Sequence, residues 1–361
     1  MKNSTYFKNL DFLRFVFILI IVCCHLQHGA INPFYDKIHF YKTLHDWFTY
    51  SWLPVEFFFI ISGFFLFLKT DFNQKFITFA KNKLIRFIPL ILFSMGCWFV
   101  ANIFLPIGYA GHENIFTILC IQNIGLTFSN GNVPASWFIS ALFWTMCFYF
   151  YLYKITTKEW FNMITACIVL FCYSFWLHTS GTNTDNIAYV FNIGAIRALA
   201  GIGLGYFISM AYQENIDKIK DFHTNKLQTL IISATEYFLL FHLIFNTCLH
   251  KMHYGNRFIL VLNFIGLFLL FLIKKGHLSR ILDNNFSTIL GKSTFGIFLT
   301  HQFIIRIWNV IICQWHPNLV IKHPFSSLFL LFSIIIAFGI FAHYKVEIPL
   351  TKYLKKKIRL N

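Results

Sequence analysis

Apolar runs of membrane-crossing length, each closed by a short polar or basic segment, recur along the chain from residue 11 to residue 344. A helix needs about 20 mostly apolar residues to cross a bilayer core, where every backbone N–H and C=O has to be bonded within its own segment. Runs at 11–28, 52–70, 84–108, 135–153, 160–178, 192–213, 228–249, 256–274, 291–313 and 322–344 meet that length and predict ten helices. The expected fold is all-α, a polytopic membrane bundle of about ten transmembrane helices forming one domain over residues 1–361, with a basic tail at 345–361. The opening MKNSTYFKNL is short and basic, but the run after it lacks a small-residue cleavage site and contains Arg14. It reads as a retained first helix, not as a signal peptide.

Composition agrees with the pattern. Hydrophobic residues make up 57%, charged residues 12%, and mean hydropathy is +0.61, against about 25% charged in a soluble domain. A net charge of +16 would suit a nucleic-acid binder, but the basic residues lie in short loops between apolar runs, so no nucleic-acid partner is expected and the bilayer is. The charges set an orientation instead. With the N-terminus cytoplasmic, 22 of the 30 Lys and Arg fall on the cytoplasmic side and 5 opposite (Lys37, Lys42, Lys251, Arg257, Lys322); Arg14, Arg197 and Arg306 lie within spans. That asymmetry predicts both termini in the cytoplasm, where KYLKKKIRL would anchor to anionic headgroups. The 48 Phe read as packing and lipid-facing bulk, and the nine Cys, mostly inside apolar runs, as small packing residues without a disulfide framework. No CxxC metal spacing occurs, and no metal is expected.

Ionisable groups inside apolar spans are costly and mark function or a buried partner. In DFLRFVFILIIVCCHLQH, Arg14 and His25 are eleven residues apart, roughly three turns or about 16 Å, so they share a helix face and suggest one polar pathway. Asp11 opens the same helix. KLIRFIPL places Lys83 and Arg86 at the start of the third helix, where Pro89 is expected to limit regularity; two cations there fit a phosphate or ordinary snorkelling. EFFFIISGFF carries Glu56 and Ser62, with Ser62-Gly63 suited to a close crossing more than to nucleophilic catalysis. Trp137 in PASWFISALFW reads as an interfacial aromatic anchor. Arg197 in GAIRALAGIGLGYF needs a partner, for which Glu236 is the candidate; His301 and Arg306 share the ninth helix, and Glu347 closes the tenth.

LDFLRFVFILIIVCCH resembles the Arg-x10-His first helix of the acyltransferase-3 family, membrane O-acetyltransferases of bacterial surface polysaccharides. EFFFIISGFFLFL is similar to that family's second-helix FF-x-x-SG pattern, and KLIRFIPL to its basic-x-x-Arg segment. The likeness continues through SWFISALFW, IRALAGIGLGYF, STFGIFLTH and VEIPL, nearly the whole chain. Two positions depart from it: Ala141-Leu142-Phe143 stands where many members have an acidic residue, and Lys83 replaces an arginine, which removes a bidentate fork.

The resemblance implies an inner-membrane, multi-pass bacterial enzyme that takes acetyl-CoA from the cytoplasm and acetylates a hydroxyl of a cell-surface or lipid-linked glycan, such as O-antigen, capsule or exopolysaccharide. It implies acyl-CoA phosphates near Lys83 and Arg86, the thioester near Arg14, and His25 as general base or transient acyl carrier. The competing class is a polysaccharide or small-molecule transporter of the same fold. A transporter is expected to show internal repeats with broken helices in matching halves, and the sequence shows no convincing repeat.

Overall fold

The computed structural model describes residues 6–107, 114–122, 133–178, 186–187, 191–249 and 257–359. All ten expected helices occur. Nine of them are long and apolar enough to cross a membrane: α1 (Lys8–Phe34), α2 (His39–Lys69), α3 (Phe76–Phe104), α4 (Pro134–Ile155), α5 (Lys158–His178), α6 (Ile193–Glu214), α7 (Lys226–Leu249), α9 (Asn285–Gln314) and α10 (Pro324–Lys357). The remaining one, α8 (Arg257–Ile273), is apolar but shorter, with 17 residues. The chain is a polytopic helical bundle. The one departure from all-helix among the described residues is a two-residue antiparallel ladder pairing Asn186 with Asn192 and Ile187 with Phe191.

Several boundaries differ from the hydropathy reading. α2 starts earlier, as an amphipathic helix His39–Trp47 that bends at residues 51–54 into Val55–Lys69. α3 starts at Phe76, because a helix continues past the hydrocarbon edge as long as its residues favour it, and Lys81 and Asn82 do not interrupt it. Pro89 therefore sits inside α3, which runs through it; the missing N–H leaves the Ile85 carbonyl without its usual partner but does not end the helix. α10 continues through a wide π turn, Ala342–Glu347, into the basic helix Ile348–Arg359. That tail exposes Ile348, Leu350 and Tyr353 beside its lysines.

α1, α2, α4, α6 and α9 are mostly enclosed, whereas α5, α7 and α10 turn most of their apolar surface outward. The tightest crossing joins α2 to α6. A Cβ on Gly63 would overlap the Ile202 backbone, and one on Gly205 would overlap the Ile60 carbonyl and the Phe64 N–H, so glycine is what lets these two backbones meet. α1 and α9 meet in the same manner, with Gly291 against Asp11. These two crossings set α2 against α6 and α1 against α9.

Candidate functional site

α1 is the element that serves both ends of the bundle. Near its start, Asp11 accepts from the Tyr6 hydroxyl at 2.5 Å through Oδ2, and its Oδ1 lies 3.2 Å from Arg14 Nη1. Burial and the adjoining carboxylate push the Tyr6 phenol up, which keeps it a neutral donor to Asp11. Arg14 lines a cavity of about 520 Å³. Lys69 from α2, Lys83 and Arg86 from α3 and Lys292 from α9 line it too, giving five cations against two carboxylates, Asp11 and Glu347.

Four of those cations, Lys69, Lys83, Arg86 and Lys292, form no ion pair among the described residues. Lys69 rests over the Phe65 ring at 4.8 Å, Lys83 over Phe79 at 5.2 Å and Lys292 over Tyr6 at 5.7 Å. Aromatic faces hold an ammonium without neutralising it. Arg86 keeps its side chain exposed to the cavity although protein closes round it. A net excess of positive charge in a partly dry cavity recruits a multiply charged anion, since screening there is weaker than at an open surface. Ile18, Ile21, Phe58, Phe138 and Phe298 make part of the lining apolar, and Ser62, Thr70 and Thr294 bring hydroxyls to it. The π turn of α10 adds His343, whose Nδ1–H donates to Glu347 Oε2 at 2.7 Å.

His25 does not line that cavity. It opens into a second one of about 250 Å³, with His28, Trp98, Gln302, Arg306 and Asn309, and the two cavities share no lining residue. The single polar pathway expected from the shared face of Arg14 and His25 is thus divided: the helix carries one group to each cavity, and bulky side chains fill the space between. Gln302 Nε2 lies 3.0 Å from His25 Nδ1 and 3.1 Å from Nε2, so its amide N–H donates to the imidazole and requires a ring nitrogen with a free lone pair. The buried His301 ring stands 4.9 Å from that of His25 and 6.1 Å from Phe298, which faces the basic cavity. The two histidines and Phe298 form the partition.

The other sequence candidates fall elsewhere. Arg197 pairs with Glu56, not with Glu236, and both side chains are fully buried. Glu236 instead accepts the backbone N–H groups of Leu278 and Ser279 through Oε2, capping the short helix His277–Ile281. Spacing along the chain could not choose between the two carboxylates, because it does not say that α2 crosses α6. Arg257, read as an exterior loop charge, is buried at the start of α8; its guanidinium and that of Arg197 both lie over Trp52 and Trp176. Trp137 packs its indole on Gly194, where a Cβ would collide with it, so its observed role is helix packing.

Lys69, Lys292, His343, Trp98 and Gln302 were not singled out as site residues by sequence. Lys69 and Lys292 look like ordinary loop charges, while His343 and Glu347 stand four residues apart, a legible helical pair. Gln302, an amide inside an apolar span beside His301, was the other available signal.

The acyltransferase-3 family model, described as an acyltransferase domain, matches residues 7–343. No curated protein and no solved structure matches the chain. The match takes in the second cavity, the lining of the basic cavity apart from Tyr6 and Glu347, and all ten helices as far as the start of the π turn of α10. The chain is a multi-pass membrane acyltransferase belonging to the acyltransferase-3 family.

Proposed function

We propose that this acyltransferase moves an acetyl group from acetyl-CoA to a hydroxyl of a cell-surface or lipid-linked glycan. The observation that carries the reading is α1 itself, which presents Arg14 to a basic cavity and His25 to a separate one. The basic cavity suits the phosphates of acyl-CoA, with Lys83 and Arg86 as principal contacts and Lys69 and Lys292 beside them. The apolar part of its lining suits the uncharged pantetheine arm. In the orientation that the loop charges favour, this cavity faces the cytoplasm, where acyl-CoA is made, and the His25 cavity faces the other side of the inner membrane.

His25 is the group assigned to the acceptor. The ring lone pair, once the Gln302 amide gives it up to the acceptor, takes the proton of the acceptor hydroxyl as its oxygen attacks the thioester carbonyl. The C–S bond breaks, the ester C–O bond forms, and the coenzyme thiolate takes up the proton when it leaves. As an acyl carrier, His25 would instead attack the thioester itself and pass the acyl group on in a second step. Gln302 holds the ring until the acceptor or thioester takes its place on the lone pair, and His301 packs beside it. Two cavities without a shared lining residue also suit group transfer better than passage of a whole polysaccharide.

The test is on the acyl-CoA side. Lys83→Gln combined with Arg86→Gln removes two charge-assisted contacts worth about 1.5–3 kcal/mol each and should weaken acetyl-CoA binding by at least about a hundredfold. Calorimetric titration of the solubilised full chain measures this. Unchanged affinity in a variant that purifies normally would overturn the assignment.

A further inference from the structure

The second cavity has a hydrogen-bonding character of its own. Among the described residues no Asp or Glu lines it. Asn309 is held at both amide atoms, its Nδ2 donating to the Gly29 carbonyl at 2.5 Å and its Oδ1 accepting from Gln314 at 3.0 Å. The Gln302 amide N–H is spent on His25. Two donors among the described lining residues stand open. Arg306 uses Nε on the Ile107 carbonyl at 3.1 Å, which orients the guanidinium and leaves its two terminal amino groups without a partner among the described residues. Trp98 is 7% exposed, and its indole N–H has no acceptor among the described residues.

A buried donor without an acceptor costs about 1–3 kcal/mol, and an oriented arginine with a free fork matches two oxygens of a carboxylate or phosphate. A neutral sugar hydroxyl offers these donors one weak acceptor, where a carboxylate or phosphate offers two charged oxygens. The cavity, at about 250 Å³, is also below the roughly 300–1,000 Å³ that encloses a whole drug-sized ligand, so it takes one group of a larger molecule.

We infer that this cavity is an oxyanion subsite for the acceptor, with Arg306 and Trp98 holding a carboxylate or phosphate carried by the glycan next to the hydroxyl that His25 serves. The inference rests on the acyl-transfer reading for the word acceptor, but the binding chemistry does not depend on it. A carboxylate would come from an acidic sugar; a phosphate would come from a sugar phosphate or the link to a lipid carrier.

The experiment uses the full chain in micelles and three probes, D-glucuronate, D-glucose 1-phosphate and D-glucose, followed by saturation-transfer NMR titration. At least one oxyanion should bind about tenfold or more tightly than glucose, and which one does so tells the two sources apart. Arg306→Gln should remove about tenfold of that affinity, Arg306→Lys should keep only part of it because an ammonium has no fork, and Trp98→Phe should lower it severalfold by removing only the N–H. Glucose binding as tightly as both anions, or an anion affinity unchanged in Arg306→Gln, would overturn the inference. Acetyl-CoA titrated in parallel separates the two readings: failure of the wild-type chain to bind it would sink the acetyl-transfer proposal and leave the oxyanion result standing.

Discussion

Replacing Glu56 with Gln keeps the shape of the side chain and removes its charge, leaving the Arg197 guanidinium enclosed without its counter-ion. Both partners are 0% exposed, so water cannot take over the lost interaction. Removing one member of such a pair costs about 3–5 kcal/mol. The rings of Trp52 and Trp176, 4.9 and 5.4 Å from the guanidinium, return about 1 kcal/mol of that. A second buried guanidinium, Arg257, lies 5.8 and 5.7 Å from the same rings and works in the opposite sense by repulsion. The net loss is about 2–4 kcal/mol, which at about 2 °C per kcal/mol lowers Tm by about 4–8 °C. Because Cys24, Cys147, Cys172, Cys248 and Cys313 are free and buried, a thiol-reactive dye reports unfolding directly during a thermal ramp. The double variant Glu56→Gln/Arg197→Gln removes both charges and should be more stable than the sum of the two single losses by about 1 kcal/mol or more. A Glu56→Gln protein as stable as the wild type, or strict additivity in the double variant, would refute the account.

His25→Ala should lose acyl transfer by at least about a hundredfold while still inserting and purifying, and full acceptor acetylation by a well-expressed His25→Gln protein would instead reduce His25 to a packing residue. Gly63→Val drives a branched side chain into the Ile202 backbone and should destabilise the bundle by about 1–3 kcal/mol or more in the same dye assay; a wild-type Tm would contradict the close α2–α6 crossing. Reporter fusions after residue 120 should register outside and fusions after residue 222 in the cytoplasm, and the reverse at both sites would invert the orientation and place the basic cavity outside.

The helices were legible because hydrocarbon imposes one rule on every span, and a count of apolar residues detects it. Their ends were less so. Lys81 and Lys83 lower the local hydropathy, yet helical backbone continues outward past them to Phe76, since nothing in FITFAKNK breaks a helix. Pairings between helices were the weakest part. Glu56 and Glu236 are both single carboxylates inside apolar spans, and only the glycine-mediated contact of α2 with α6 makes the first the neighbour of Arg197. The basic cavity was half visible: Lys83 and Arg86 stood out by their motif, whereas Lys69 and Lys292 blend with the charges that orient any membrane protein. The helical projection put Arg14 and His25 on one face correctly as geometry, but it carried no information about the bulk of Phe298, which faces the first cavity from another helix.

The partition of Phe298, His301 and His25 has a consequence for the cell as well as for the reaction. A protein with a polar hollow in each half is one breach away from being a leak, and even a narrow wetted thread would short-circuit the proton gradient. Moving a bare ion into a medium as dry as this wall costs far more than thermal energy supplies. The acyl end of a thioester, still bonded to its sulfur, is neutral and mostly apolar and meets a far lower barrier. On the acyl-transfer proposal, such a wall would let the acyl end of a donor meet the acceptor while holding back metal ions and bulk water.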